Sequence, residues 1–279
     1  MHASSPLPVG RLGRVGRVGR VGRVGIVGAG RVGAVLGAGL RRAGHEVTGV
    51  SAVSDASRER AERFLPGVPV RSPLEVSRSC DLLLLAVPDD VLPGLVQGLG
   101  ADLPDTVVHV SGRFGLAVLA GVRNPLALHP VYPFTGAPVD LTGVSFGVTA
   151  HDLDLADRLV HDLGGVPVHV AEELRPLWHA ALAHGANHLV TLVASAADLL
   201  RAAGAEDPGA VLRPLLESAL EGALDRGTAA LTGPVLRGDA GTVRAHLDVI
   251  PEDVRDSYLA LARLTAHHAG TAEALAGVL

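Results

Sequence analysis

The chain has 279 residues, 48% of them hydrophobic, and a formal net charge of −5 at pH 7. That length suits two domains with real cores, and the acidic balance argues against a nucleic-acid partner. Cys80 is the only cysteine and every basic residue other than histidine is arginine, which excludes an internal disulfide, a cysteine-based metal cluster and any lysine chemistry.

Residues 10–33 read GRLGRVGRVGRVGRVGIVGAGRVG. Arg11, Arg14, Arg17, Arg20 and Arg23 recur at every third position. Collagen would need far more triplets and much proline, so residues 1–22 read as a disordered Arg-Val-Gly tail. The register changes at Ile26. Arg23 to Gly30 reads as a short buried strand entering a glycine-rich turn. Arg31 to Gly44 reads as a helix with Val32, Val35, Leu36 and Leu40 on one face, and His45 to Val53 as the next strand. The run Gly28, Ala29, Gly30, Arg31, Val32, Gly33 therefore sits between a strand and a helix, the context that G-x-G-x-x-G requires for dinucleotide binding. Gly28 permits a tight turn, Gly30 lets backbone approach a pyrophosphate, and Gly33 lets helix and strand pack closely. The helix N-terminus favours the anion. An NAD site carries an acid at the end of the second strand. Here Ser51, Ser54 and Arg58 follow instead, and they suit a 2′-phosphate, so the pattern predicts NADP. Asp55 reads either as a helix N-terminal residue or as a ribose acid. Arg60 reads as part of a solvated helix face.

Further strands are expected at Asp81 to Pro88, Thr106 to Gly112, Pro125 to Pro130, Val144 to Ala150 and Val166 to Val170. Ligands of such sheets bind beyond the carboxyl ends of strands, which points to Val87, Pro88, Ser111, Gly112 and His129. Ser111 can equally cap a helix, and His129 can be a buried, satisfied histidine. His109 lies inside a strand and reads as structural. From about Glu172 the pattern predicts one long helix closed by Gly204, with His179, Ala183 and Asn187 at i, i+4, i+8. His184 and His188 form a second i, i+4 pair, but no glutamate or third ligand accompanies them, so no metal is expected. Between later helices, Thr232-Gly233-Pro234 reads as a turn. Arg237 reads as a carboxylate anchor or an ion-pair partner, and Asp239 as a helix N-cap. No run has the length of a membrane span or the form of a signal peptide. The expected fold is α/β: a doubly wound, mostly parallel Rossmann sheet over residues 23–171, then an all-helical domain over 172–279, in the cytoplasm.

IVGAGRVG, LLLAVPDD, VHVSGRFGLAVLA, LALHPVYPFTG, FGVTA, HAALAHGANHLVTLVA and ALTGPVLRGDAGTV together resemble one family. That family pairs a Rossmann-like NADP-binding domain with a C-terminal helical domain of unknown function, and it is common in actinobacteria. It belongs to the 6-phosphogluconate dehydrogenase-like group, near pyrroline-5-carboxylate reductase, and some members are alternative ketopantoate reductases. The resemblance implies an NADP-dependent reductase of a small 2-oxo or imino acid, working as a homodimer formed mainly after about Glu172. It implies substrate contacts at Ser111, Gly112, Arg237 and Asp239, with Asn187, His179 and His129 as candidate catalytic groups. The chain departs from the family pattern at Val110, Pro133, Trp178 and Gly222, swaps that remove polar groups from the expected cleft. The alternative readings are a non-catalytic NADP-binding or redox-sensing protein, and an enzyme with a different hydride partner such as a deazaflavin.

Overall fold

The computed structural model describes residues 22–279. The expected repeat tail, but for Gly22, lies outside the described residues. The chain divides into two compact units, the first ending at Ala183 and the second spanning His184–Leu279. The division falls inside the helical stretch that begins near Glu172.

The first unit runs β1 (Arg23–Val27), α1 (Arg31–Arg42), β2 (Glu46–Ser51), α2 (Asp55–Phe64), α3 (Pro73–Arg78), β3 (Leu82–Leu85) and α4 (Leu92–Leu99). It continues with β4 (Thr106–His109), β5 (Asn124–Pro130), β6 (Ser145–Ala150), α5 (Leu153–Asp162), β7 (Val166–His169) and α6 (Arg175–Leu182). The strands form one sheet in the order β2-β1-β3-β4-β5-β6-β7. Strands β1 to β5 pair in parallel. β6 runs antiparallel to β5, and β7 follows β6 in parallel. The register sets His129 opposite Gly147, so the amino end of β6 lies beside the carboxyl end of β5.

The run of leucines in β3 shows why this sheet needs helices on both faces. Side chains alternate along a strand. Leu82 and Leu84 join Ile26, Val35, Leu36, Leu40 and Leu159 in one buried cluster. Leu83 and Leu85 join Val27, Val76, Leu92 and Val107 in the other. A strand buried on both sides has no polar position to spare. Helix starts are marked by short polar residues. Ser54 caps α2, Ser72 forms a capping box with Glu75 at α3, and Asp152 caps α5.

The second unit is helical: α7 (His188–Ala202), α8 (Pro208–Arg226), α9 (Gly233–Leu236), α10 (Ala240–Val249), α11 (Glu252–Ala269) and α12 (Ala272–Leu275). Its buried cluster is small, with Val243, Leu247, Ala266 and Leu275 at its centre. The single long helix expected from Glu172 to Gly204 is corrected. A 3₁₀ turn at Glu172–Leu174 leads into α6, and a π-helical turn at Ala183–Asn187 separates α6 from α7. Gly185 and Asn187 are both weak α-formers, so the α-geometry yields there at small cost. The wider turn breaks the 3.6-residue period on which the shared face of His179, Ala183 and Asn187 rested.

Candidate functional site

The turn after β1 is built for an anion. Gly28 has φ +101°, and a Cβ there would lie 2.4 Å from the Ala86 carbonyl oxygen. The Gly28 and Ala29 amides both donate to the Ser51 carbonyl, at 3.1 and 2.9 Å. The end of β2 thus clamps the turn through main chain, while the buried Ala29 side chain fills the core beneath. Val87 packs against the turn, and the Pro88 carbonyl accepts from the Val91 and Leu92 amides as α4 begins. Gly30 is the N-cap of α1 and offers no side-chain cap to the first amides, those of Arg31, Val32 and Gly33. The space in front of Gly30 is open: the nearest atom to a Cβ built there is the Ala86 oxygen, at 3.9 Å. Free helix amides, a favourable dipole and an absent side chain fit a pyrophosphate.

The groups expected to read a 2′-phosphate are placed differently from one another. Ser51 is buried, and its carbonyl holds the turn. The Ser54 hydroxyl accepts from the Ser57 amide as the cap of α2. Asp55 is the first residue of α2 and pairs with Arg58 at 2.9 Å. Arg60, expected on a solvated face, instead is half-buried and donates from Nε to the Ala29 carbonyl at 3.3 Å. Arg63 donates to the Gly136 carbonyl at 2.5 Å, and a Cβ on Gly136 would lie 3.3 Å from Arg31 Cγ. Arg31, Arg60 and Arg63 therefore gather around the segment at Gly136, beside the glycine turn. Alternation of helix faces hid this, because the partner segment is far away in sequence.

The carboxyl ends of β4 and β5 carry the second cluster. The Ser111 hydroxyl accepts from the Arg113 and Phe114 amides, so it caps the strand-end loop. Gly112 leaves room for two imidazoles: a Cβ there would lie 2.7 Å from His179 Cδ2 and 2.8 Å from His129 Nε2. The two rings stand edge to face, with centroids 6.0 Å apart. Trp178 donates from Nε1 to His129 Nδ1 at 3.3 Å. With Nδ1 accepting, the neutral His129 ring carries its proton on Nε2. Burial first, and then the Arg175 charge, push the His129 pKa down to about 4. His129 is thus a neutral N–H donor at pH 7. The substitution at Trp178 adds a polar partner to this cluster, contrary to the expected loss. His109 is fully buried, with Nε2 on the Gly115 carbonyl and Nδ1 without a partner, and burial takes its pKa down to about 4.

Sequence reasoning missed Arg175. Its side chain is completely buried and donates to the carbonyls of Ser111, Phe114 and Gly147 and to the Thr149 hydroxyl. Burial lowers its pKa from the ordinary value, but a guanidinium stays charged at neutral pH. Glu172 sits nearby with both carboxylate oxygens engaged by the Leu116 and Ala117 amides.

The remaining expected residues lie in the second unit. Asn187 is exposed, and its side-chain amide makes no hydrogen bond among the described residues. The π-turn is the physical reason, since it moves the residue off the α-helical face. Asp239 caps α10, with its two oxygens on the Thr242 amide and hydroxyl. Arg237 is exposed. His184 and His188 face each other at 3.1 Å. Among the described residues no group of three or more His, Cys, Asp or Glu side chains is placed to hold a metal ion. No helix among them is long and apolar enough to cross a membrane.

Residues 15–130 match the Rossmann-like domain family, and residues 144–265 match DUF2520, a domain of unknown function. No curated protein shows a significant match. Several solved structures share the fold. A candidate NADP oxidoreductase from Bacteroides fragilis is 23% identical, covering 88% of this chain and 98% of its own, with a TM-score of 0.76. An imine reductase from Myxococcus stipitatus in complex with NADP+ is 17% identical, covering 88% and 94%, with a TM-score of 0.65. The Plasmodium falciparum pyrroline carboxylate reductase with NADP bound is 13% identical, covering 92% and 97%, with a TM-score of 0.59. At these identities the likeness is one of fold.

Proposed function

We propose that this chain, a Rossmann-like domain joined to a DUF2520 domain, is an NADP-dependent reductase of a small 2-oxo or imino acid, ketopantoate being the leading candidate, acting in the cytoplasm. The observation that carries the reading is the open turn at Gly30, which presents the unsatisfied amides of α1 beside Arg31 and Arg60. The amides of Arg31, Val32 and Gly33 would hold the pyrophosphate, and Arg60, Arg31 and Arg58, with Ser51 and Ser54, would face the 2′-phosphate. Bound there, NADPH would supply the hydride. His129 offers an Nε2–H to an oxygen of the substrate without giving up a proton, since it is already neutral. His179 then serves as the proton donor, Asn187 as the amide that orients the carbonyl, and Arg237 as a carboxylate contact. The occurrence of the same fold in an NADP-bound imine reductase and a pyrroline carboxylate reductase supports the choice of chemistry.

Calorimetric titration with NADPH and NADH, followed by NADPH oxidation against ketopantoate, other 2-oxo acids and cyclic imino acids, tests this. NADPH should bind more tightly than NADH, and one of the acids should turn over. Arg60→Ala should weaken NADPH by roughly tenfold and leave NADH unchanged. Preference for NADH would overturn the 2′-phosphate assignment. Tight NADPH binding with no turnover on any acid would favour a binding or sensing role.

A further inference from the structure

Arg175 is the largest fully buried side chain among the described residues. Burying a cation is costly unless its donors are satisfied and something is gained. Each of its three nitrogens has a partner, and all the partners are neutral oxygens: Ser111 at 2.7 Å, Thr149 at 3.0 Å, Phe114 at 2.5 Å and Gly147 at 3.4 Å. The nearby Glu172 carboxylate is held by the Leu116 and Ala117 amides and offsets the Arg175 charge through space without bonding to it. A positive charge therefore stands behind the strand-end loop without a counter-ion hydrogen-bonded to it.

The bonds also have a direction. In a trans peptide the carbonyl and the following N–H point opposite ways. Arg175 draws the Ser111 carbonyl toward itself, so the Gly112 N–H points away from the guanidinium. That amide donates to no acceptor among the described residues. Beside Gly112 stand His179 and the Nε2 edge of His129, whose proton is fixed there by Trp178. A free amide and a neutral N–H donor thus stand at one glycine, with the Arg175 guanidinium on the far side of the Ser111 carbonyl.

We propose that Arg175 is the positioning residue of an anion subsite made by the Gly112 amide and the His129 Nε2–H, beside His179, and that this subsite takes the substrate's carboxylate. The inference deepens the reductase reading, on which it rests for the bound molecule being a small acid. It shifts carboxylate recognition from the exposed Arg237 to the first unit. Arg175 does not touch the ligand. It aims the amide.

The test uses the full chain without NADPH. Imidazole resonances of His129 and His179, assigned with His129→Gln and His179→Gln, are followed while oxalate or its neutral isostere oxamide is added. Oxalate should shift both resonances with an affinity that falls as salt rises, and oxamide should bind at least about tenfold more weakly, the discrimination a charged hydrogen bond provides. Arg175→Lys keeps the charge but loses the fork, and the preference for oxalate should collapse. Thr149→Val removes one acceptor of the fork, and the preference should narrow. Equal response to oxalate and oxamide, or none, overturns the proposal, as does an unchanged preference in folded Arg175→Lys. Should Arg175→Lys fail to fold, an unchanged preference in Thr149→Val overturns it instead. NADPH titration of the same samples separates the two claims, since loss of NADPH binding would sink the reductase reading and leave the oxalate result standing.

Discussion

Gly33 has no room for one more carbon. A Cβ there would lie 2.0 Å from the Gly28 carbonyl oxygen and 2.8 Å from the Ala86 Cβ, both backed by rigid main chain. Gly33→Ala should therefore cost roughly 1–3 kcal/mol, the usual range for overpacking, and should weaken NADPH binding as the turn is forced open. Gly94→Ala, where a Cβ meets nothing within 4 Å, is the control. Thermal melts of the two variants decide it, and equal melting temperatures would show that the turn tolerates a side chain. His109 and His129 make the next prediction. Burial takes both from 6.5 to about 4, so the folded state binds fewer protons than the unfolded state between those values. Their contribution is complete above about 6.5 and is lost as pH falls toward about 4. Stability measured in urea should decline over that window with a slope approaching about two protons. His109→Asn should flatten it, and a flat profile in the native protein would contradict the burial argument. Gly33 could be read from the sequence because its role is local. Arg175 and Trp178 could not, because their partners Ser111, Gly147 and His129 come from other strands.

The elements followed the residues closely where burial is periodic. Asp81 to Pro88 announces a strand covered on both faces, and β3 is one. The reversal of β6 and β7 was not visible, because strand direction is set by where the connection after Pro130 leads and not by composition. The π-turn escaped for a similar reason: His179 and Asn187 flank a stretch of alanines whose pattern suits an α-helix equally well. That turn leaves the Asn187 amide exposed and free of hydrogen bonds among the described residues. A role in tying helices together would need a partner, and a role in orienting substrate would not. Asn187→Ala should thus leave melting temperature and NADPH affinity unchanged while turnover falls by roughly 100-fold, the loss expected for one oxyanion donor. Steady-state kinetics beside calorimetry reads both, and unimpaired turnover removes Asn187 from the chemistry.

The first unit closes its own start: the Arg23 amide donates to Asp81 at 2.9 Å and the Arg23 guanidinium pairs with the same carboxylate. Deleting residues 2–21 should therefore leave melting temperature and NADPH affinity unchanged, and a large loss in either would make the repeat part of the core. The second unit is less self-sufficient. Helix α7 has no buried residue at all. Val190 is 70% exposed, Leu215 65% and Leu224 78%, and a groove of about 600 Å³ opens between residues of α7, α8 and α11. So much apolar surface on a small helical unit is unusual for a monomer. The resemblance implies a homodimer formed mainly after about Glu172, and the exposed leucines give that expectation a physical argument. A second copy of the chain is the occupant that needs no other partner. Analytical ultracentrifugation at micromolar concentration should show a dimer, and Val190→Glu with Leu224→Glu should give a monomer. In a true monomer such exposed substitutions change stability by no more than about 0.5 kcal/mol, so a fall in melting temperature that disappears on dilution of the native protein would report the lost interface. A native chain that sediments as a monomer, with both variants melting alongside it, would leave the leucines simply solvated and end the case for a dimer.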